Sequence, residues 1–82
     1  MGSRKYVIEV PEIIQKVVDL NRITWNEACN HVNFCRYESG SEDWDIESIN
    51  EFIEDNPNRL EFIALKAIME KDGVSKATIV ND

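Results

Sequence analysis

The chain has 82 residues, 43% of them hydrophobic, and 9 Lys and Arg against 16 Asp and Glu give a net charge of −7. That is enough apolar content for one small core, which excludes wholesale disorder, and too short a chain for more than a single domain. No apolar run approaches the roughly 20 residues of a membrane span, and no basic segment precedes an apolar one as in a signal peptide.

Lys5 to Val10 is rich in β-branched and aromatic residues, yet no segment of similar quality offers a partner strand, so an extended N-terminal arm is expected. Pro11 suits the first turn of a helix, and the spacing predicts helix one over residues 11–21. Ile13, Ile14, Val17 and Val18 form its apolar stripe, and Asn21-Arg22 forms the turn after it.

The segment Ile23-Thr24-Trp25-Asn26-Glu27-Ala28 is the clearest local signal. Thr24 and Glu27, three apart, form a capping-box pattern, and Ile23 can pack on Ala28 as a hydrophobic staple. Helix two is expected from Trp25 to Arg36 or Tyr37, with Trp25 in the core and Phe34 off the main stripe. Residues 38–43 read as a polar loop. Asp45 is an N-cap for helix three, with Glu47 in its first turn and Ile46, Ile49, Phe52 and Ile53 as its apolar face. Asn56-Pro57 is expected to end that helix and begin the next, over residues 57–71. On helix four, Leu60, Ile63, Ala64, Ala67 and Ile68 form one stripe, and Phe62, Leu65 and Met69 widen it. Gly73 is the natural left-handed terminator. Residues 74–82 have no periodicity and read as a flexible tail. The expected fold is all-α: a small four-helix domain, residues 1–82, with an ordered core over about residues 11–73.

Catalytic chemistry is scarce. His31 lies about 200° around a helix from Cys29, so the two share no face for a metal or a nucleophile pair. The three glycines are far apart, which excludes a phosphate-cradling loop. No enzyme activity, metal or cofactor is expected. Cys29 and Cys35, about 9 Å apart along one helix, are too distant for a disulfide and read as reduced, cytosolic thiols.

Glu38, Glu42, Asp43, Asp45, Glu47, Glu51, Glu54 and Asp55 hold half the acids, uninterrupted by Lys or Arg. Such a surface repels phosphate, which disfavours direct nucleic-acid binding. A solvated acidic face accounts for the block; a surface aimed at a basic partner, or an inhibitor that imitates DNA charge, is the sharper alternative. Helices one and two also invite comparison with a DNA-reading helix-turn-helix. The second helix offers Asn26, Asn30 and Asn33 but one Arg and no Lys, too little for phosphate contacts. Trp44, set among acids, is either a lid on the core or an exposed anchor.

Ile13-Ile14-x-x-Val17-Val18, Ile23-Thr24-Trp25-x-Glu27-Ala28, Asp45-Ile46-Glu47-x-Ile49 and Leu60-x-x-Ile63 before Lys66-Ala67 occur in an order that resembles the late-transcription coactivators of T-even-like bacteriophages. The resemblance covers residues 13–70. It implies a phage transcription regulator in the cytoplasm of an infected bacterium, docked on the β-flap of host RNA polymerase through apolar helix faces and linked to the phage sliding clamp by its tail. On that reading Phe34, Trp44, Phe52, Phe62, Leu65 and Met69 are contacts, with Glu51 and Glu54 at the rim. The chain departs from the family tail in having no terminal aromatic, which leaves Ile79 and Val80 as a weak apolar pair for the clamp.

Overall fold

The computed structural model describes residues 6–32 and 40–81. In chain order the elements are β1 (Val7–Glu9), α1 (Val10–Asn21), α2 (Trp25–His31), β2 (Gly40–Asp45), α3 (Ile46–Asp55), α4 (Leu60–Asp72) and β3 (Lys76–Asn81). Among the described residues there are four helices, but the fold is not all-α: three strands form one mixed sheet in the order β1-β3-β2. β1 runs parallel to β3 and β2 runs antiparallel to it.

The expected arm, loop and tail are therefore the three strands. β1 finds its partner at the far end of the sequence, where Val7, Ile8 and Glu9 pair with Thr78, Ile79 and Val80. The expected tail is the central strand. Alternation sends Ala77 and Ile79, each 3% exposed, to the same sheet face as Ile8. That face joins Val10, Ile13, Ile14 and Val17 of α1, Ala28, Val32, Ile49 of α3, and Phe62, Ala64, Leu65 and Met69 of α4 in one core. The other face carries Val7, Glu9, Ser41, Asp43 and Lys76, all exposed.

The helix boundaries follow local chemistry. Pro11 occupies the first turn of α1, which ends on Arg22 in the left-handed region at φ 53°, its N–H donating to the Val18 carbonyl. Thr24 and Glu27 form the expected capping box: the Glu27 N–H donates to Thr24 Oγ1 at 3.2 Å and the Thr24 N–H to Glu27 Oε1 at 3.4 Å. α2 is shorter than expected, because Val32 turns extended and carries its side chain into the core. The remainder of the expected helix two, with Phe34 and Cys35, lies outside the described residues. Asp45 caps α3 by accepting from the Ser48 N–H at 2.8 Å.

Pro57 does not open α4. It lies in a turn closed by the Arg59 N–H on the Asn56 carbonyl at 3.1 Å, and α4 begins at Leu60. Gly73 ends α4 at φ 68°, and a β-carbon there would meet open space. Gly73→Ala should therefore cost only backbone strain, about 1 kcal/mol, read as a small fall in the urea midpoint with unchanged slope.

α4 packs against α1 and α3. Its buried line is Phe62, Leu65 and Met69, at helical spacing, with Ala64 beside it; Ile63, in the expected main stripe, is 37% exposed. A second tie joins the ends of the chain: the Tyr6 hydroxyl donates to Asp72 at the end of α4. That bond to a carboxylate, helped by partial burial, pushes the Tyr6 pKa up to about 12 from 10.0. A raised pKa favours the protonated, folded form, so this contribution is complete below pH 10.0 and fades as pH rises towards about 12. Tyr6→Phe should remove about 1 kcal/mol at neutral pH and erase that alkaline slope, as urea titrations at a series of pH values would register.

Candidate acidic interface

β2 runs into α3 without a loop, since Asp45 ends the strand and Ile46 begins the helix. The acids of the block thus fall on two consecutive elements. Glu42 and Asp43 are exposed on the strand, and Glu47, Glu51, Glu54 and Asp55 are exposed on the helix. At 100° per residue, Glu47, Glu51 and Glu54 fall within an arc of about 60° and span about 10 Å of helix, opposite the side that buries Ile49. Among the described residues no cation lies in salt-bridge range of Glu42, Glu47, Glu51, Glu54 or Asp55.

Two acids of the block are already engaged. Asp43 accepts from the Thr78 hydroxyl at 2.7 Å across the β2–β3 pairing. Asp45 is held below the usual carboxylate range by hydrogen bonds from Ser48, with the Lys76 charge adding to the effect.

Beneath the acids lies an aromatic cluster. Trp44 meets Phe62 edge-on at 4.9 Å between ring centroids and Phe52 at 5.9 Å, while Phe52 and Phe62 lie 4.2 Å apart. The Arg59 guanidinium caps this cluster, 5.6 Å from the Phe52 ring centre and 5.5 Å from that of Phe62. Its Nε also donates to the fully buried Glu61 carboxylate at 2.5 Å. This bracing supports the strand–helix junction from inside, and Trp44 serves it as a half-buried lid.

Of the residues expected to contact a partner, Trp44, Glu51, Phe52 and Glu54 come together on β2 and α3, with the two aromatics turned into the cluster and the two acids outward. Phe62, Leu65 and Met69 are not a docking face: they are 2%, 0% and 0% exposed, because α4 presents that side to the core. Ile79 is likewise core, and Val80 is half-buried on the central strand, so neither belongs to a free tail. Phe34 lies outside the described residues. Sequence reasoning missed Arg59 and Tyr6, whose partners are set by tertiary packing.

Trp25 is exposed rather than core, at 44%, and Leu20, near the end of α1, is 48% exposed. Among the described residues no group of three His, Cys, Asp or Glu is placed to hold a metal ion, and no helix is long and apolar enough to cross a membrane. A groove of about 620 Å³ opens beside the start of β3, lined by Tyr6, Asp43, Asp45 and Lys76 among others. Comparisons with protein-family models, curated proteins and solved structures return no match to this chain.

Proposed function

We propose that this protein is a non-enzymatic binding protein whose acidic β2–α3 face docks on the basic surface of a nucleic-acid-handling enzyme and competes there with nucleic acid. The observation that carries the reading is the row of exposed carboxylates along α3, Glu47, Glu51, Glu54 and Asp55, joined by Glu42 on β2, none of which has a cation in salt-bridge range among the described residues. The spacing has a cost to the protein itself. Glu47–Glu51 and Glu51–Asp55 are four apart and Glu51–Glu54 three apart, so like charges face one another along one helix. A face that only needed solubility could intersperse cations and avoid this repulsion.

The resemblance to phage coactivators makes bacterial RNA polymerase the partner to test first, in the bacterial cytoplasm. Docking through Phe62, Leu65 and Met69 is not carried over, since the core uses them. The test is a titration of this chain against purified bacterial RNA polymerase, with and without competing duplex DNA. Binding that is lost between about 50 mM and about 200 mM salt, and that DNA displaces, is expected for charge docking on a phosphate-binding surface. Binding indifferent to both, or none, would overturn the reading.

Glu51→Lys separates stability from function. It turns three repulsions on α3 into attractions, so the fold should gain about 1 kcal/mol while affinity for the partner falls. A thermal melt that moves up by a few degrees beside a weakened complex is the expected pair of results.

A further inference from the structure

We infer that the outer edge of β2 accepts an extended basic segment of the partner as a fourth strand, an inference that rests on the acidic-face reading above and assigns it a backbone geometry. The phase of the sheet determines which groups are available. The Ile46 N–H donates to the Ser75 carbonyl at 2.8 Å, one step beyond the pairing of Asp45 with Lys76. Hydrogen-bonded pairs alternate along an antiparallel ladder. Trp44 with Ala77 and Glu42 with Ile79 are therefore bonded pairs, and Ser41 and Asp43 turn their N–H and C=O groups away from β3. The far side of β3 agrees: the Thr78 N–H donates to the Tyr6 carbonyl at 2.7 Å, away from β2. In the sheet, β2 is an edge, and no described strand pairs with its outer side.

Charge selects the occupant. Glu42, Asp43 and Asp45 lie on the edge strand, with Glu47 two residues beyond it in the first turn of α3. Acids on an edge deter pairing with a second copy, which would set like charges opposite one another. The same acids favour a strand that carries lysine or arginine at alternate positions. On its solvent face that strand would place cations beside Asp43 and Asp45, whose bonds from the neutral Thr78 hydroxyl and Ser48 N–H leave their negative charge in place, and on its other face it would place side chains beside Glu42 and Trp44. The opposite edge, β1, is only three residues long and carries one acid, Glu9.

The test uses the full chain, isotopically labelled, with three capped peptides the length of β2. One alternates lysine and valine. The second has glutamate in place of lysine. The third is the lysine peptide methylated on alternate backbone nitrogens, which keeps its charge but removes strand-pairing donors. The lysine peptide should slow hydrogen exchange at Ser41 and Asp43 by about tenfold or more, leaving Glu42 and Trp44, already bonded to β3, nearly unchanged. The methylated peptide should bind about tenfold more weakly, as should the lysine peptide to Ser41→Pro, which keeps every acid and every bond to β3. Equal binding of the methylated and unmethylated peptides would overturn strand addition and leave the acidic-face reading standing. No binding of the lysine peptide, or equal binding of the glutamate peptide, would overturn both. Protection of Ser41 and Asp43 that appears on concentrating the protein without peptide would assign the edge to a second copy and overturn the inference.

Discussion

Removal of residues 76–82 is expected to leave this chain without a cooperative fold. β1 and β2 each pair with β3 and not with each other, so loss of β3 removes the whole sheet. It also strips Ala77 and Ile79 from the core. Burying an isoleucine is worth about 1.5–3 kcal/mol, and the ladder bonds on both sides of β3 add to that. A domain of this size holds only about 4–12 kcal/mol in total. Circular dichroism of the shortened chain should show no sigmoidal melt. A cooperative melt near that of the full chain would mean that the segment is an appendage.

The second large effect separates two faces of one helix. Leu65→Ala is expected to cost about 2–5 kcal/mol, because Leu65 is fully enclosed between α4 and its neighbours and truncation leaves a cavity. For a chain this short that corresponds to a fall in melting temperature of at least about 10 °C. Ile63→Ala, two residues away, should cost about 1 kcal/mol or less, since Ile63 is 37% exposed. Parallel melts of the two variants decide which side of α4 is core; comparable losses, or a larger one at Ile63, would contradict the packing described.

The contrast at α4 marks where sequence reading stops. Signals confined to one turn were legible. Thr24 with Glu27, Asp45 before Ile46 and Gly73 after Asp72 act through bonds to residues within four positions. Which flank of α4 faces inward depends on neighbours far along the chain, and a helix whose apolar residues are spread around its circumference carries no period that chooses. The same limit hid the sheet. Lys5 to Val10 has strand composition, but its partner begins about seventy residues later. In β3, the run Thr78-Ile79-Val80 is a β-branched signal that could have identified that partner. Gly40 to Asp45 gives no such warning. It holds a single large apolar residue, Trp44, and pairs because β3 offers an edge and Asp45 then starts α3.

For the candidate interface, the acids of residues 38–55 were visible as a block, whereas their division into outward carboxylates and inward aromatics needed the fold. Glu51 and Glu54 point outward, as helical spacing predicts. Phe52 is on the same helix but packs on Trp44 and Phe62 under Arg59, a cluster drawn from β2, α3, α4 and the turn before α4.

The most direct test compares the wild-type chain with the triple variant E47K/E51K/E54K for binding to purified bacterial RNA polymerase, after melts establish that both are folded. If the acidic face carries function, the wild type binds at low salt and the variant binds at least about a hundredfold more weakly, a loss in line with several reversed charges at a complementary interface. Equal affinity of the two folded proteins, or no complex with either, would contradict the account.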